Sequence, residues 1–453
     1  MRPLGIVSLV AGLALVASTT ATAQDPASSP VPRNQSWLAS SPSETKSVAP
    51  ADAKGELAEL KAIVARRTER DLARLRWWDT GGPTYRWNEL ALEAMLEDFV
   101  TLPLAARHLA LLHAAMDDAV AAAWASKREF RRPRPHEIDP SLATALHTTK
   151  GLSYPSDFAA AAVAAAEVLG YLFPARAQMF AARAEEAMQT RLLAGVEFPS
   201  DVAAGREIGR KVAALAIVRG KSDGSDGKWT GSTPQGPGKW QGTTPIGATT
   251  PTWRPWVLAR ADEFRPQAPP AFDSDRTKAD LAELKAFKRL PMTNHRAVYW
   301  EVFGGARAHA LWNEIARTKL LEYGDVFDAP AAARVLAALN IAFADATVAC
   351  WDAKLAYWHI RPSQLDPELK PLFPPPNHPS YPAAHGCLST AAATVLAAVF
   401  PADREGLVAL GKEAAEARVW AGIHYRYDIE VGQELGRKVA DKTLVRAFNS
   451  TKP

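Results

Sequence analysis

The chain has 453 residues, of which 47% are hydrophobic and 23% charged, with a formal net charge of +4. That length can bury one large core or two smaller ones, and the composition is that of a globular protein rather than a fibrous or disordered chain. The charge excess is too slight for a nucleic-acid partner, and no basic stripe or nucleic-acid motif accompanies it.

Residues 1–23 read as a secretory signal peptide: Arg2, an apolar run from Gly5 to Ala17, then Ala21-Thr22-Ala23 before Gln24. That run is short for a membrane span, and no other charge-free stretch reaches spanning length. The expectation is an exported protein, periplasmic or secreted, with no membrane span. Residues 24–55 are rich in Pro, Ser and Ala without apolar periodicity, which predicts a disordered linker. Over 56–217, Ala- and Leu-rich segments lack the alternation of strands and predict an N-terminal helical bundle. The connecting segment, 218–276, turns to Gly, Pro and Thr with Trp229, Trp240, Trp253 and Trp256 embedded in it. Four tryptophans favour burial, so an ordered aromatic wall or lid is expected there. Helical patterning returns over 277–453 as a C-terminal bundle.

The two helical regions repeat each other at a constant offset of 227: Trp124 answers Trp351, Lys127 answers Lys354, and Arg134-Pro135 answers Arg361-Pro362. Further along, Tyr154-Pro155 answers Tyr381-Pro382, Arg191 answers Arg418 and Asp201 answers Asp428. The expected fold is therefore all-α, two tandem helical bundles related by a pseudo-twofold axis. The copies differ where chemistry would sit, since Phe158 stands opposite His385 and Glu197 opposite His424. The first copy keeps Lys127, Arg134 and Arg191 but no imidazole. It is expected to be a degenerate scaffold whose cations are met by carboxylates such as Glu197 and Asp157, the alternative being a regulatory anion site.

The chemistry-bearing residues cluster between Trp351 and Asp428. Lys354 and Arg361 are seven apart, which puts both on one face of a helix that Pro362 would end. A guanidinium fork and an ammonium suit an oxyanion of high charge. Asp428, four residues after His424, would fix that imidazole's tautomer. A Pro-rich loop, residues 370–382, would deliver His385 to a helix N-terminus, itself favourable to an anion. His359, between Lys354 and Arg361, is at best a supporting residue, and the remaining histidines have no partners at metal-ligand spacing. Trp351 is either a wall of the site or a core residue, because Trp124 repeats it. Cys350 and Cys387 flank the site; a disulfide and two buried thiols are both open.

Lys-x6-Arg-Pro, then Pro-x-x-His, then Arg-x5-His-x3-Asp, in this order, resemble the three-part signature of the type-2 phosphatidic acid phosphatase and vanadium-dependent haloperoxidase superfamily. The resemblance implies that Lys354, Arg361 and Arg418 bind an oxyanion, with Ala384 at the backbone position that approaches it. It implies that His385 is the acid/base residue. It makes His424 the axial vanadate ligand, with Asp428 behind it and Lys354 polarising bound peroxide. Trp351 and His378 would line the substrate pocket, His378 in the place of a halide-pocket residue. The implied activity is peroxide-driven halide oxidation with vanadate as cofactor. The alternative is a vanadate-inhibited acid phosphatase without cofactor, in which His424 attacks a phosphate ester and forms a phosphohistidine. A non-catalytic scaffold or anion-binding protein is the third reading. The family usually reads Pro-Ser-Gly-His where this chain has Pro382-Ala383-Ala384-His385, so one anion-binding hydroxyl is missing. The halide, the organic acceptor and the oligomeric state are not specified by the sequence.

Overall fold

The computed structural model describes residues 36–41, 44–50, 52–146, 151–301, 305–324 and 326–448. The signal peptide and residues 24–35 of the expected linker lie outside the described residues. Among the described residues all regular structure is helical, apart from two isolated bridges.

Two 29-residue helices, Leu102–Phe130 and Ala329–Tyr357, pack against each other at the centre. Each has a proline in its first turn, where the lost N–H would be unpaired anyway. Asp328 caps the second helix by accepting the Ala331 N–H at 2.9 Å. Each then stops in the left-handed region, at Arg131 (φ 50°) and Trp358 (φ 52°), whose N–H groups bond the carbonyls of Lys127 and Lys354. Ala329–Tyr357 is apolar enough by length and composition to cross a membrane, yet its most apolar stretch is wholly buried inside the protein. A helix apolar on all sides is what the centre of a large core requires. The two long helices are tied directly by charge, Arg334 lying 2.8 Å from Asp117. They are tied indirectly by a buried polar chain in which Asn88, bonded to His113 of the first at 2.7 Å, donates at 2.7 Å to Asn313, which donates to Asn340 of the second at 2.9 Å.

Around this pair stand Asp157–Leu172, Ala177–Leu193 and Pro199–Lys221 in the first copy, and Ala384–Val399, Arg404–Trp420 and Arg426–Phe448 in the second. Each boundary in the second set lies 227 residues beyond its counterpart. The pseudo-symmetry also reaches upstream, where the spacing is no longer 227. Helices Ala53–Ala65 and Asp275–Ala286 make matching contacts: Lys61 to Asp139 and Lys285 to Asp366, both at 2.5 Å. Glu56 accepts the Ser200 N–H at 3.0 Å as Asp280 accepts the Tyr427 N–H at 2.9 Å. Trp78 donates to Glu186 at 2.9 Å as Trp300 donates to Glu413 at 2.8 Å.

Part of the expected disordered linker is in fact pinned. Buried Asp118 accepts the N–H groups of Trp37 at 3.0 Å and Leu38 at 2.9 Å, and Arg446 covers the Trp37 ring at 5.0 Å. Asp345, its counterpart, accepts those of Trp256, Val257 and Leu258 at 2.7, 2.7 and 2.9 Å, with Arg219 3.7 Å over Trp256. A buried carboxylate needs donors, and each copy recruits them from the chain that precedes it.

The connecting segment is ordered, but its tryptophans do not form a lid. Trp229 and Trp240 pack on Trp358 at 6.3 and 6.2 Å between ring centres. Trp240 N–H bonds the Trp358 carbonyl at 2.8 Å, and Ile360 N–H bonds that of Gly238 at 3.0 Å. Trp229 and Trp240 thus brace the loop that carries Arg361, while Trp256 is docked on Asp345.

Candidate active site

A cavity of about 290 Å³ opens in the second copy, and His378, Ala384, His385, Arg418 and His424 line it together with Trp351, Trp300 and Glu301. The first copy contributes the mouth, through Phe99, Thr101, Leu102 and Pro103, and the connecting segment contributes Ile246. Gly247 makes the turn beside it: its φ is +74°, and a Cβ there would lie 2.4 Å from Trp351 Nε1. Trp351 itself donates to the Ile246 carbonyl at 2.8 Å, so it is both a wall of the cavity and a core residue.

His424 is buried between two groups that fix its protons. Its Nδ1 lies 2.9 Å from Asp428 Oδ2, and its Nε2 lies 2.9 Å from Arg361 Nη1. A guanidinium only donates, so Nδ1 carries the ring proton and Nε2 keeps its lone pair. Burial first, then the charges of Arg361 and Lys354, hold the imidazole well below its ordinary pKa, so the ring is neutral. Asp428 also accepts from Ser380 Oγ at 2.6 Å and from the Tyr425 N–H at 3.2 Å. Burial raises its pKa to about 7 despite these bonds and the nearby Lys354 and Arg361.

Arg361 is not on the long helix, as the seven-residue spacing suggested. The helix ends at Tyr357, and Arg361 is the extended residue before a short helix, Pro362–Leu365. Its fork is held by the carbonyls of His378 at 3.1 Å and Ile423 at 3.0 Å, and by His378 Nδ1 at 3.1 Å. Lys354 does lie in the helix's last turn, but its ammonium donates to the carbonyls of Pro379, Ser380 and Pro382 at 2.8, 2.9 and 2.6 Å. It shapes the loop that leads to His385 and sits behind the cavity wall. Burial lowers its pKa to about 8. His359 has also left the helix; it bonds Tyr427 Oη at 2.7 Å, away from the cavity.

His385 is the second residue of Ala384–Val399. Its Nε2 lies 2.8 Å from the Trp300 carbonyl, an acceptor, so Nδ1 keeps the lone pair. Burial and Arg418 push its pKa well below the usual value. Ala383 precedes the helix and supplies no side-chain cap. The first N–H groups of a helix have no partner within it, and here they start at the cavity wall. Arg418 donates to Glu301 and, at 2.9 Å, to the Ala297 carbonyl, while its Nε is buried without a partner. His378 packs on Trp351 at 5.2 Å. The cysteines are free thiols in the core, Cys350 3.8 Å from the Pro382 carbonyl.

The first copy shows the same frame closed. Phe158 replaces the histidine and lies 4.0 Å beneath the Arg191 guanidinium. Arg191 is paired with Asp79 at 2.8 Å and approaches Glu197 at 3.9 Å. Lys127 lies 3.6 Å from Asp157, and Arg134 is bound by the Val196 carbonyl at 3.0 Å. The carboxylates expected from the sequence are present, with Asp79 added.

A family model described as the PAP2 superfamily matches residues 108–221 and 333–440, once in each copy. The chain belongs to the PAP2 superfamily. Among solved structures it is similar to a bacterial vanadium-dependent iodoperoxidase, with a TM-score of 0.64 and 22% identity over 81% of this chain and 97% of that one. It is also similar to a bacterial vanadium-dependent chloroperoxidase in its apo form, at TM-score 0.57 and 15% identity over 76% and 93% of the two chains. The holo form of such an enzyme gives 0.56 and 15% over 84% and 96%. At these identities the likeness is one of fold. A comparison with curated proteins returns no match.

Sequence reasoning missed Glu301 and Trp300, which belong to neither signature nor constant-offset repeat. The contact between Trp300 and Glu413, repeated by Trp78 and Glu186, could have been sought only by allowing a gap in the duplication.

Proposed function

We propose that this PAP2-superfamily member is a vanadium-dependent haloperoxidase that uses peroxide to oxidise a halide, with vanadate held at His424. The observation that carries the reading is His424 itself: a buried neutral imidazole, its Nδ1 proton donated to Asp428 and its Nε2 lone pair at the wall of a cavity it shares with His385 and Arg418. The donor set fits a tetrahedral oxyanion, since Arg418 Nε is buried without a partner and the helix beginning at Ala384 starts at the same wall. His424 would be the ligand, with Arg418, Arg361 and the first turn of Ala384–Val399 around the oxygens. Bound vanadate supplies Lewis acidity toward peroxide.

The chain's own part is orientation, charge and proton handling. Asp428 keeps the His424 lone pair directed outward. Arg361, which donates to that lone pair, is positioned to transfer its hydrogen bond to an oxygen ligand. His385, neutral with Nδ1 unprotonated, is suited to accept a proton from peroxide. Lys354 adds positive charge from behind the loop, where low dielectric strengthens it. The missing Ser at Ala383 leaves this work to the backbone and the cations. His378 and Trp351 form the wall beside His424 where a halide or an organic acceptor would dock. Export to the periplasm or beyond belongs to the same proposal.

The test is bromide and iodide oxidation by hydrogen peroxide with the purified chain, before and after loading with orthovanadate, and with His424→Ala. Vanadate-dependent turnover that the variant lacks is expected. Hydrolysis of a phosphate ester that vanadate inhibits, without halide oxidation, would assign the same residues to a phosphatase.

A further inference from the structure

Glu301 stands in the cavity wall beside the cation expected to hold the oxyanion. It receives a hydrogen bond from Arg418 Nη1, and its Oε2 lies 3.9 Å from His385 Nε2. The first copy contains its counterpart. Trp78-Asp79 corresponds to Trp300-Glu301, because both tryptophans donate to matching glutamates and both carboxylates pair with matching arginines, Arg191 and Arg418. A carboxylate on this arginine is therefore part of the duplicated frame. The two pairs differ in surroundings: the side chain of Asp79 is 38% exposed and that of Glu301 18%, facing a cavity.

We propose that Glu301 competes with incoming oxyanions for Arg418, and that binding an oxyanion beside it draws a proton from solvent onto Glu301. Arg418 is one charge presented to two anions. Its Nε is buried without a partner and its Nη1 is committed to Glu301. An oxyanion bonded by Nε would lie near the Glu301 carboxylate in a buried site, where like charges interact strongly. Protonating Glu301 removes that repulsion and leaves Arg418 to the oxyanion. Desolvation already raises the Glu301 pKa above the ordinary value, against the pull of Arg418 and Arg361.

The groups facing Glu301 are Arg418 from Arg404–Trp420, His385 from Ala384–Val399, and Arg361 from the loop after the long helix. Arg307 from Arg307–Glu322 lines the same cavity, Arg296 from Pro291–Tyr299 pairs with Glu413 beside the neighbouring Trp300, and His309 bears on His385. Glu413 is bound by Arg296 at 2.8 Å and by Trp300, and buried His309 is held neutral by desolvation. His385 is the one other group in this set suited to take up a proton on anion binding, so the test must separate it from Glu301.

This inference rests on the cavity being an oxyanion site and not on which reaction that site performs. The experiment is calorimetric titration of the full chain with inorganic sulfate, a dianion throughout, between about pH 5 and about pH 8, in buffers of different ionisation enthalpy. The wild-type protein should take up a proton on binding, with affinity falling as pH rises. Glu301→Gln, which keeps an acceptor for Arg418, should bind about tenfold more tightly at the upper pH, the equivalent of one unit of pKa coupling. At about pH 6, where Lys354 is already charged, its proton uptake should vanish, whereas His385→Ala should retain it. Binding by the wild type at about pH 6 without proton uptake, or uptake at that pH that persists in Glu301→Gln, would overturn the role of Glu301 while leaving the oxyanion site intact. Failure of the folded wild type to bind sulfate, phosphate and vanadate alike would overturn the oxyanion site, and this inference with it.

Discussion

His424 and Asp428 were legible as a pair because a four-residue spacing joins them by one bond whatever surrounds them. What the spacing could not give is the state of that pair, which depends on Arg361 approaching from another segment and on complete burial. Asp428→Asn should leave the fold intact but let the imidazole adopt the other tautomer. Supporting residues of this kind are worth about 10- to 100-fold in ligand affinity, and vanadate titration should show a loss of that order. Lys354 gives a pH prediction. Its ammonium is charged below about 8 and neutral above, so oxyanion affinity should decline as pH rises through that value. Lys354→Gln should bind more weakly throughout and lose that decline, which titrations at several pH values will show.

The helices were read correctly in kind, and the duplication was visible because its core needs no gaps. The position of Arg361 was misread for a local reason. Seven residues span two turns only if the helix continues, and Trp358 enters the left-handed region three residues too early. No proline or glycine at 358 announced this; Trp229 and Trp240, more than a hundred residues upstream, provide the packing for it. A second element-level consequence concerns Gly436, where a Cβ would lie 2.1 Å from the Cys387 carbonyl oxygen. Ala384–Val399 and Arg426–Phe448 can approach this closely only without a side chain there. Gly436→Ala should force them apart and destabilise the protein by about 1–3 kcal/mol, read as a lowered denaturant midpoint. Because one of these helices carries His385 and the other Asp428, oxyanion affinity should fall as well.

The whole molecule consists of two copies that share more than their helices. Each binds the backbone of the segment before it through one buried aspartate, Asp118 or Asp345, and a cation stacked on a tryptophan. Sequence comparison did not reveal this, since the docked segments carry little in common beyond the tryptophan and follow a different spacing. Asp345→Ala removes three backbone hydrogen bonds at once. It should cost about 2–4 kcal/mol and expose the connecting segment to limited proteolysis near Trp256, while Asp118→Ala leaves that segment protected. The duplication also frames the central question, because both copies keep the three cations and only the second keeps the imidazoles. The most direct test is vanadium NMR of the protein titrated with orthovanadate, comparing wild type with His424→Ala. A bound signal in the wild type that the variant lacks is the result this account predicts. A bound signal of equal strength in both would contradict it, and would direct the search to the cations Lys127, Arg134 and Arg191 of the first copy.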